Sequence, residues 1–210
     1  MSQYFAVHPE TPQPRLIHQA AEIIRNGGLV VFPTDSAYAL GGQLGNADVL
    51  RRIRQLREVD KDHHFTLMCR DLSEISIYGR VDNVQFRLLK ATTPGTYTFI
   101  LEGTRELPRR VLHPKRKTIG LRVPDHPVVS ALLGELGEPM LTSTLLLPGH
   151  DLPLTDPEEI SALIGKQVDL IIEAGYCGPE ATSVIDLTSG VPELRRAGKG
   201  DLAPFGLQTH

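Results

Sequence analysis

A length of 210 residues, with 40% hydrophobic and 22% charged residues, allows one globular domain with a substantial core. The net charge of −3 excludes no class of partner, but no apolar run approaches a membrane span and the N-terminus lacks the signal-peptide pattern. Two cysteines are too few for a disulfide framework, and neither has metal-site spacing. We therefore expect one cytoplasmic domain over residues 1–210, with its core at about 15–200 and no membrane partner.

The predicted elements follow from hydrophobic periodicity, capping residues and turn signals. In chain order they are a helix at 15–26, a strand at 29–32, a helix at 46–57 capped by Asn46, a strand at 65–69, a helix opened by an Asp71–Glu74 capping box, a helix from Asp82 to before Thr93, strands at 97–101 and 118–123, a helix at 126–136, a strand at 140–143, a helix at 157–164, and strands at 170–173, 183–187 and 193–196.

Helices and strands alternate along the chain without a strict βα repeat. That order favours an α/β (α+β) domain with a twisted, mostly mixed sheet flanked by helices over an all-parallel doubly wound sheet. No internal repeat, low-complexity tract or linker divides the chain. The sequence therefore predicts a single domain.

Charge is distributed unevenly along the chain. Residues 51–122 carry sixteen Lys and Arg against eight Asp and Glu, whereas residues 123–192 carry one against eleven. This asymmetry indicates a surface for an anionic partner. The alternative is that the two stretches neutralise each other in the fold.

The helix predicted at 46–57 carries the first cationic candidates. Arg54 and Arg57 lie one helical turn apart, so both guanidinium groups could reach one set of phosphates. The alternative is an ordinary solvated helix face. His63 and His64 are adjacent, so their rings should diverge, and without another His or Cys nearby zinc is not expected.

A second basic run extends from Arg105 to Arg122, with apolar residues interleaved. Such a run could follow a phosphate backbone, or it could be a solvated loop. Further hydroxyls, glycines and arginines stand at predicted strand ends, in segments 33–42, 93–98, 142–144, 181–186 and 194–198. Segment 33–42 could equally be an ordinary turn. Together the segments show no carboxylate dyad, Ser/His/Asp triad or metal cluster, which favours anion binding and positioning over hydrolysis.

Five segments, in chain order, resemble motifs of the YrdC/YciO family. They are Pro-Thr-Asp-Ser-Ala-Tyr-Ala-Leu-Gly at 33–41, Pro-Gly-Thr-Tyr-Thr at 94–98, Ile-Gly-Leu-Arg-Val-Pro-Asp-His-Pro at 119–127, Thr-Ser-Val-Ile-Asp at 182–186 and Arg-Ala-Gly at 196–198. Segment 64–73 is similar to the YciO branch in particular. The resemblance covers about residues 15–200 and implies a YrdC-like fold.

The resemblance also implies an activity. The family makes threonylcarbamoyl-AMP from L-threonine, bicarbonate and ATP, a step toward threonylcarbamoyladenosine in tRNA. The implied cofactor is ATP with Mg²⁺, with the ion held mainly by phosphates and no metal held by side chains. Alignment of reactants and cationic stabilisation of phosphate are what such chemistry requires.

By position, the resemblance assigns roles to ten residues. The catalytic candidates are Arg54, Arg57 and Arg122. The nucleotide side of the pocket is assigned to Arg54, Arg57, Lys61, Thr98, Ser143 and Arg196. The amino-acid side is assigned to Ser36, Arg122, Thr142 and Thr182, with Arg122 holding the carboxylate through a bidentate fork.

Three positions depart from the family pattern. The lysine of its Lys-x-Arg clamp corresponds to Arg54 at a stretched spacing, unless Lys61 replaces it from the loop. Leu145 stands where the family has the asparagine of Ser-x-Asn, and Met68 aligns with a histidine. Two functions remain open: a slow or divergent synthase, or a protein that binds nucleotide or double-stranded RNA (tRNA or rRNA) without this reaction.

Overall fold

A computed structural model describes residues 2–209 and contains a ten-stranded mixed β-sheet. The strands are β1 (Gln3–Ala6), β2 (Val30–Phe32), β3 (Ala39–Gln43), β4 (Thr66–Met68), β5 (Tyr97–Glu102), β6 (Thr118–Arg122), β7 (Met140–Thr144), β8 (Leu170–Glu173), β9 (Ser183–Asp186) and β10 (Glu193–Arg196). Their order across the sheet is β1-β8-β2-β3-β7-β4-β6-β5-β9-β10. The sheet combines parallel pairs such as β4–β6 with antiparallel pairs such as β3–β7, which confirms the predicted α/β class and mixed sheet.

Six α-helices accompany the sheet within residues 2–209. They are α1 (Pro14–Arg25), α2 (Ala47–Arg57), α3 (Leu72–Tyr78), α4 (Asn83–Thr92), α5 (Pro127–Leu136) and α6 (Pro157–Ile164). None of these helices is long and apolar enough to cross a bilayer. Asn46 caps α2, as predicted, by accepting hydrogen bonds from two backbone N–H groups of its first turn.

The capping box predicted at Asp71 and Glu74 forms only in part. The Asp71 carboxylate accepts from the Glu74 N–H, but the Glu74 carboxylate accepts from the N–H of Arg70 instead of that of Asp71. The reciprocal box occurs one helix later, between Asp82 and Gln85. The motif therefore located the start of α3 correctly but misassigned one hydrogen bond.

Two strands were not predicted. Strand β1 pairs in parallel with β8 at the edge of the sheet, and β3 lies between β2 and β7. The Gly41-Gly42 pair made β3 look like part of a loop. In the structure a Cβ at Gly41 would lie 2.7 Å from the Phe32 ring, and one at Gly42 would lie 2.5 Å from Val49. These glycines therefore allow close packing against a strand and a helix.

The sheet buries both of its faces. One face packs against α1 and α5, where Ile17, Ala20 and Leu132 are fully or almost fully buried. The other face packs against α2 and the loops, with Ile53 and Phe65 in its core. The face toward α1 and α5 is not covered over the central strands, and the candidate site lies there: Ala39 and Met68 line the cavity and belong to the core cluster on that side.

Candidate functional site

A cavity of about 750 Å³ lies over the central strands and brings together residues distant in sequence. Strands β4 to β7 and β9 supply side chains to its lining, and the loop after β2 and the end of α2 supply others. Eight of the ten predicted site residues line it: Ser36, Arg57, Thr98, Arg122, Thr142, Ser143, Thr182 and Arg196. The motifs therefore identified residues that converge on one hollow.

Arg54 and Lys61 do not line the cavity. The Arg54 guanidinium lies over the ring of Phe65, 5.4 Å from its centroid, and Lys61 is exposed in the loop after α2. The prediction that both guanidinium groups reach one set of phosphates is wrong for this geometry. Arg54 packs on Phe65, whereas Arg57, at the helix end, extends toward β7. Lys61 does not replace a clamp residue in this geometry.

Arg57 meets two other polar side chains in the lining of the cavity. Its Nη1 donates to Ser143 Oγ at 2.6 Å, and its Nε donates to the Leu146 carbonyl at 3.2 Å. His63 Nε2 lies 3.1 Å from Ser143 Oγ and 3.2 Å from Arg57 Nη1. Burial, followed by the nearby charge of Arg196, lowers the pKa of Arg57. A guanidinium, a hydroxyl and an imidazole thus converge at one point.

Arg196 flanks the cavity from β10. Its Nε and Nη2 donate to the Thr182 carbonyl at 3.2 and 2.9 Å, and Thr182 Oγ1 lies 2.8 Å from Thr98 Oγ1. Within residues 2–209 neither Arg57 nor Arg196 forms an ion pair with a carboxylate. The charges of these two guanidinium groups are therefore not compensated by an ion pair. Exposed carboxylates do line the cavity, in the segments around 62, 151 and 180.

Arg122 is held differently. Its Nη2 pairs with Asp35, whose other oxygen accepts from the Asp125 N–H at 2.8 Å, and its Nη1 donates to Ser36 Oγ at 3.2 Å. Only the buried Nε lacks a partner in the described part of the chain. Two of the five guanidinium N–H groups are therefore in use, and the bidentate contact of Arg122 with a substrate carboxylate stays a prediction. Asp35 was not identified from the sequence, since a motif does not show which side chain it pairs with.

His63 lines the cavity, although the sequence analysis gave it no role in the site. Its ring packs edge-on against Phe65 at 5.2 Å, and burial followed by the charge of Arg57 lowers its pKa to about 4. His64 also lines the cavity, stacks on His113 at 4.7 Å and contacts Thr118. The adjacent rings therefore share one hollow. Residues 2–209 hold no group of three His, Cys, Asp or Glu side chains placed for a metal.

Two of the positions that depart from the family pattern differ in whether they line the cavity. Met68 lines the cavity, whereas Leu145 is fully buried in the core. The Leu145 backbone N–H donates to the Tyr38 carbonyl at 2.9 Å, which holds this backbone segment beside the start of β3. Leu145 therefore does not line the cavity, and its apolar side chain does not take the place of a polar group that would contact a ligand.

The basic run at 105–117 lies outside the cavity lining. Its cations are mostly exposed, with Arg116 paired to Asp186 and Arg110 donating to the Gly45 carbonyl. Only Arg116–Asp186 and Arg52–Asp169 join the basic stretch to the acidic one in the described residues. Mutual neutralisation thus accounts for a small part of the charge asymmetry.

The Sua5/YciO/YrdC family model, described as "Telomere recombination", matches residues 22–198. A protein of Escherichia coli strain K12, "Uncharacterized protein YciO", is 57% identical over 205 residues, covering 98% of this chain and all of its own. The crystal structure of E. coli YciO superposes with a TM-score of 0.95 over 98% of this chain and 100% of that chain.

More distant relatives carry functional names. A threonylcarbamoyl-AMP synthase of Bacillus subtilis is 28% identical over 184 residues, which are 87% of this chain and 53% of that protein. The crystal structure of P. abyssi Sua5 complexed with L-threonine matches 94% of this chain and 58% of its own, with a TM-score of 0.86 and 24% identity. The latter similarity establishes a shared fold.

Proposed function

Because the chain belongs to the Sua5/YciO/YrdC family, we propose that its cavity binds ATP beside L-threonine and forms threonylcarbamoyl-AMP. The observation that carries this proposal is that Arg57 and Arg196 line one cavity together with several hydroxyl groups. Within the described residues neither arginine has a carboxylate partner. Arg57 is half-buried and Arg196 is exposed, and guanidinium groups that lack a carboxylate partner favour an anionic ligand. The name of the Bacillus subtilis relative and the L-threonine bound to P. abyssi Sua5 support the choice of reaction and substrate.

The reaction needs charge stabilisation and alignment. The threonine amine adds to carbon dioxide supplied by bicarbonate, forms an N–C bond and loses a proton. The resulting carbamate oxygen attacks the α-phosphorus, and the bond to pyrophosphate breaks with both electrons leaving on pyrophosphate. Arg57 and Arg196 would bear the phosphate charge while Ser143 and Thr98 donate to phosphate or ribose oxygens.

Mg²⁺ would be held mainly by the phosphates, which suits a lining without a cluster of three metal-binding side chains in the described residues. It would neutralise phosphate charge. The amino-acid end lies toward Ser36, Thr142 and Thr182, where hydroxyl groups line the cavity. Arg122 would contribute there through its unpartnered Nε, with Asp35 holding its orientation. The product would serve modification of tRNA.

Isothermal titration of the full chain with ATP and with threonine tests binding, and pyrophosphate release with labelled bicarbonate tests turnover. We expect Arg57→Gln to weaken ATP binding by at least about tenfold, since charge-assisted hydrogen bonds contribute roughly 1.5–3 kcal/mol. Arg51→Gln is the matched control, because Arg51 lies on the same helix, exposed and paired with Asp48 outside the cavity. Equal ATP affinity in both variants, or no pyrophosphate release by the wild-type protein, would contradict the proposal.

A second candidate function is binding of double-stranded RNA, either tRNA or rRNA. It is favoured by exposed cations that have no carboxylate partner in the described chain: Arg105, Arg109, Arg110, Lys115 and Lys117. This segment reaches the cavity edge through the stacking of His113 on His64. RNA affinity that falls steeply with salt is expected, and a flat salt response excludes this function.

A further inference from the structure

The lining of the cavity contains an imidazole, that of His63, to which the family motifs assign no role. His63 lines the cavity beside Arg57 and Ser143, and the three polar atoms lie 2.6 to 3.2 Å from one another. The structure places Arg54 and Lys61 elsewhere and Leu145 in the core, so His63 stands with Arg57 as a polar group next to Ser143. We propose that His63 contacts a phosphate of the ligand and takes up a proton when that ligand binds.

The hydrogen bonds define the state of His63 without ligand. Arginine can only donate, so the contact between Arg57 Nη1 and His63 Nε2 requires Nε2 to accept. The imidazole is therefore neutral, with its proton on Nδ1. Its surroundings reinforce this state, because burial and the charge of Arg57 both lower the pKa, to about 4.

Charged and polar groups face the ring from three parts of the chain. Helix α2 presents Arg57 and Arg54, and the segment before β4 presents His64 and Asp60. Strand β7 presents the uncharged Ser143. The Asp60 carboxylate alone favours the protonated ring, and its influence is the smallest of these. Cations therefore dominate the surroundings of the ring, although exposed carboxylates also line the cavity.

A phosphate reverses this balance. Its oxygens accept hydrogen bonds from Arg57, which releases Nε2, and its negative charge favours an imidazolium whose Nε2–H donates to the same anion. His63 then adds a third positive charge to those of Arg57 and Arg196. This role rests on the proposed nucleotide site and identifies which residue completes it.

The consequence is a linked proton. Between the pKa of the empty site, about 4, and the higher pKa of the occupied site, binding gains up to about tenfold in affinity for each unit that the pH falls. A residue at position 63 that hydrogen-bonds but does not titrate loses this gain. His63→Gln is such a substitution, since the glutamine amide can accept a hydrogen bond from Arg57 and donate one to a phosphate.

The test is titration of the full-length protein with metal-free ATP from about pH 5.5 to about pH 8. The ratio of the Kd of His63→Gln to that of the wild-type protein should rise at least about tenfold toward the acid end. Comparison at each pH cancels the ionisation of ATP itself. His18→Gln, which removes an exposed histidine on α1 paired with Glu135, should follow the wild-type curve.

A second measurement does not depend on any variant. The side-chain NMR signal of His63 should titrate near pH 4 without ATP and at a clearly higher pH with ATP bound. Parallel binding curves for wild type and His63→Gln, or a His63 titration unaffected by ATP, would overturn this inference alone. A wild-type protein that binds no ATP at any pH would overturn both the inference and the proposed function.

Discussion

Replacing Asp35 with asparagine tests how the buried Arg122 is held. The two side chains are only 6% and 9% exposed, and the carboxylate also accepts the Asp125 N–H. Removing one partner of a buried ion pair costs about 3–5 kcal/mol, because the remaining charge stays buried without compensation. Asparagine keeps the shape and one acceptor, so we expect a loss of about 3 kcal/mol.

For a chain of this length, that loss corresponds to a fall in Tm of roughly 6–12 °C. Urea denaturation at pH 7 gives the free energy of unfolding, and calorimetry gives the Tm. Asp48→Asn is the control: the Arg51–Asp48 pair is 63% and 59% exposed, so its loss should leave the free energy of unfolding nearly unchanged. The double variant Asp35→Asn/Arg122→Met should recover part of the stability, since it leaves no buried charge.

Two results would refute this reasoning. A change below about 1 kcal/mol in Asp35→Asn would mean that water or another group compensates Arg122. A double variant that loses as much as both single variants added together would mean that the two charges do not interact.

Three further predictions concern other parts of the fold. Leu145→Asn, which introduces the family residue, should destabilise the fold by about 3–5 kcal/mol without strengthening ATP binding, because position 145 is in the core; unchanged urea stability would contradict this. The pKa of His63, about 4, lies below its ordinary 6.5, so the unfolded chain binds more protons between these values and wild-type stability should fall by up to about 3 kcal/mol as the pH drops through that window. His63→Gln should lack this fall, and parallel stability curves would contradict the assignment. Burial of Asp186 opposes its charge, but hydrogen bonds from Thr188 and Arg116 keep its pKa below 3.8. Asp186→Asn should therefore cost about 2 kcal/mol at pH 7, and urea titrations should show the difference shrinking as the pH falls below about 4.

The sequence alone determined most of the elements and the composition of the site. Periodicity and capping residues act over a few positions, so α2 and its Asn46 cap were predicted within a residue of their observed limits. The family resemblance assigned roles to eight residues that the fold brings to one cavity. Their ligand roles stay predictions.

The tertiary structure decided which partner each side chain has. Arg54 and Arg57 look equivalent in sequence, yet one packs on Phe65 and the other reaches Ser143, because neighbours from distant segments determine side-chain direction. The pairing of Asp35 with Arg122 joins residues that only the sheet brings together. Periodicity and caps report on neighbours a few positions away, whereas hydrogen-bond and ion-pair partners depend on long-range packing, so the sequence named the residues and only the fold assigned their contacts.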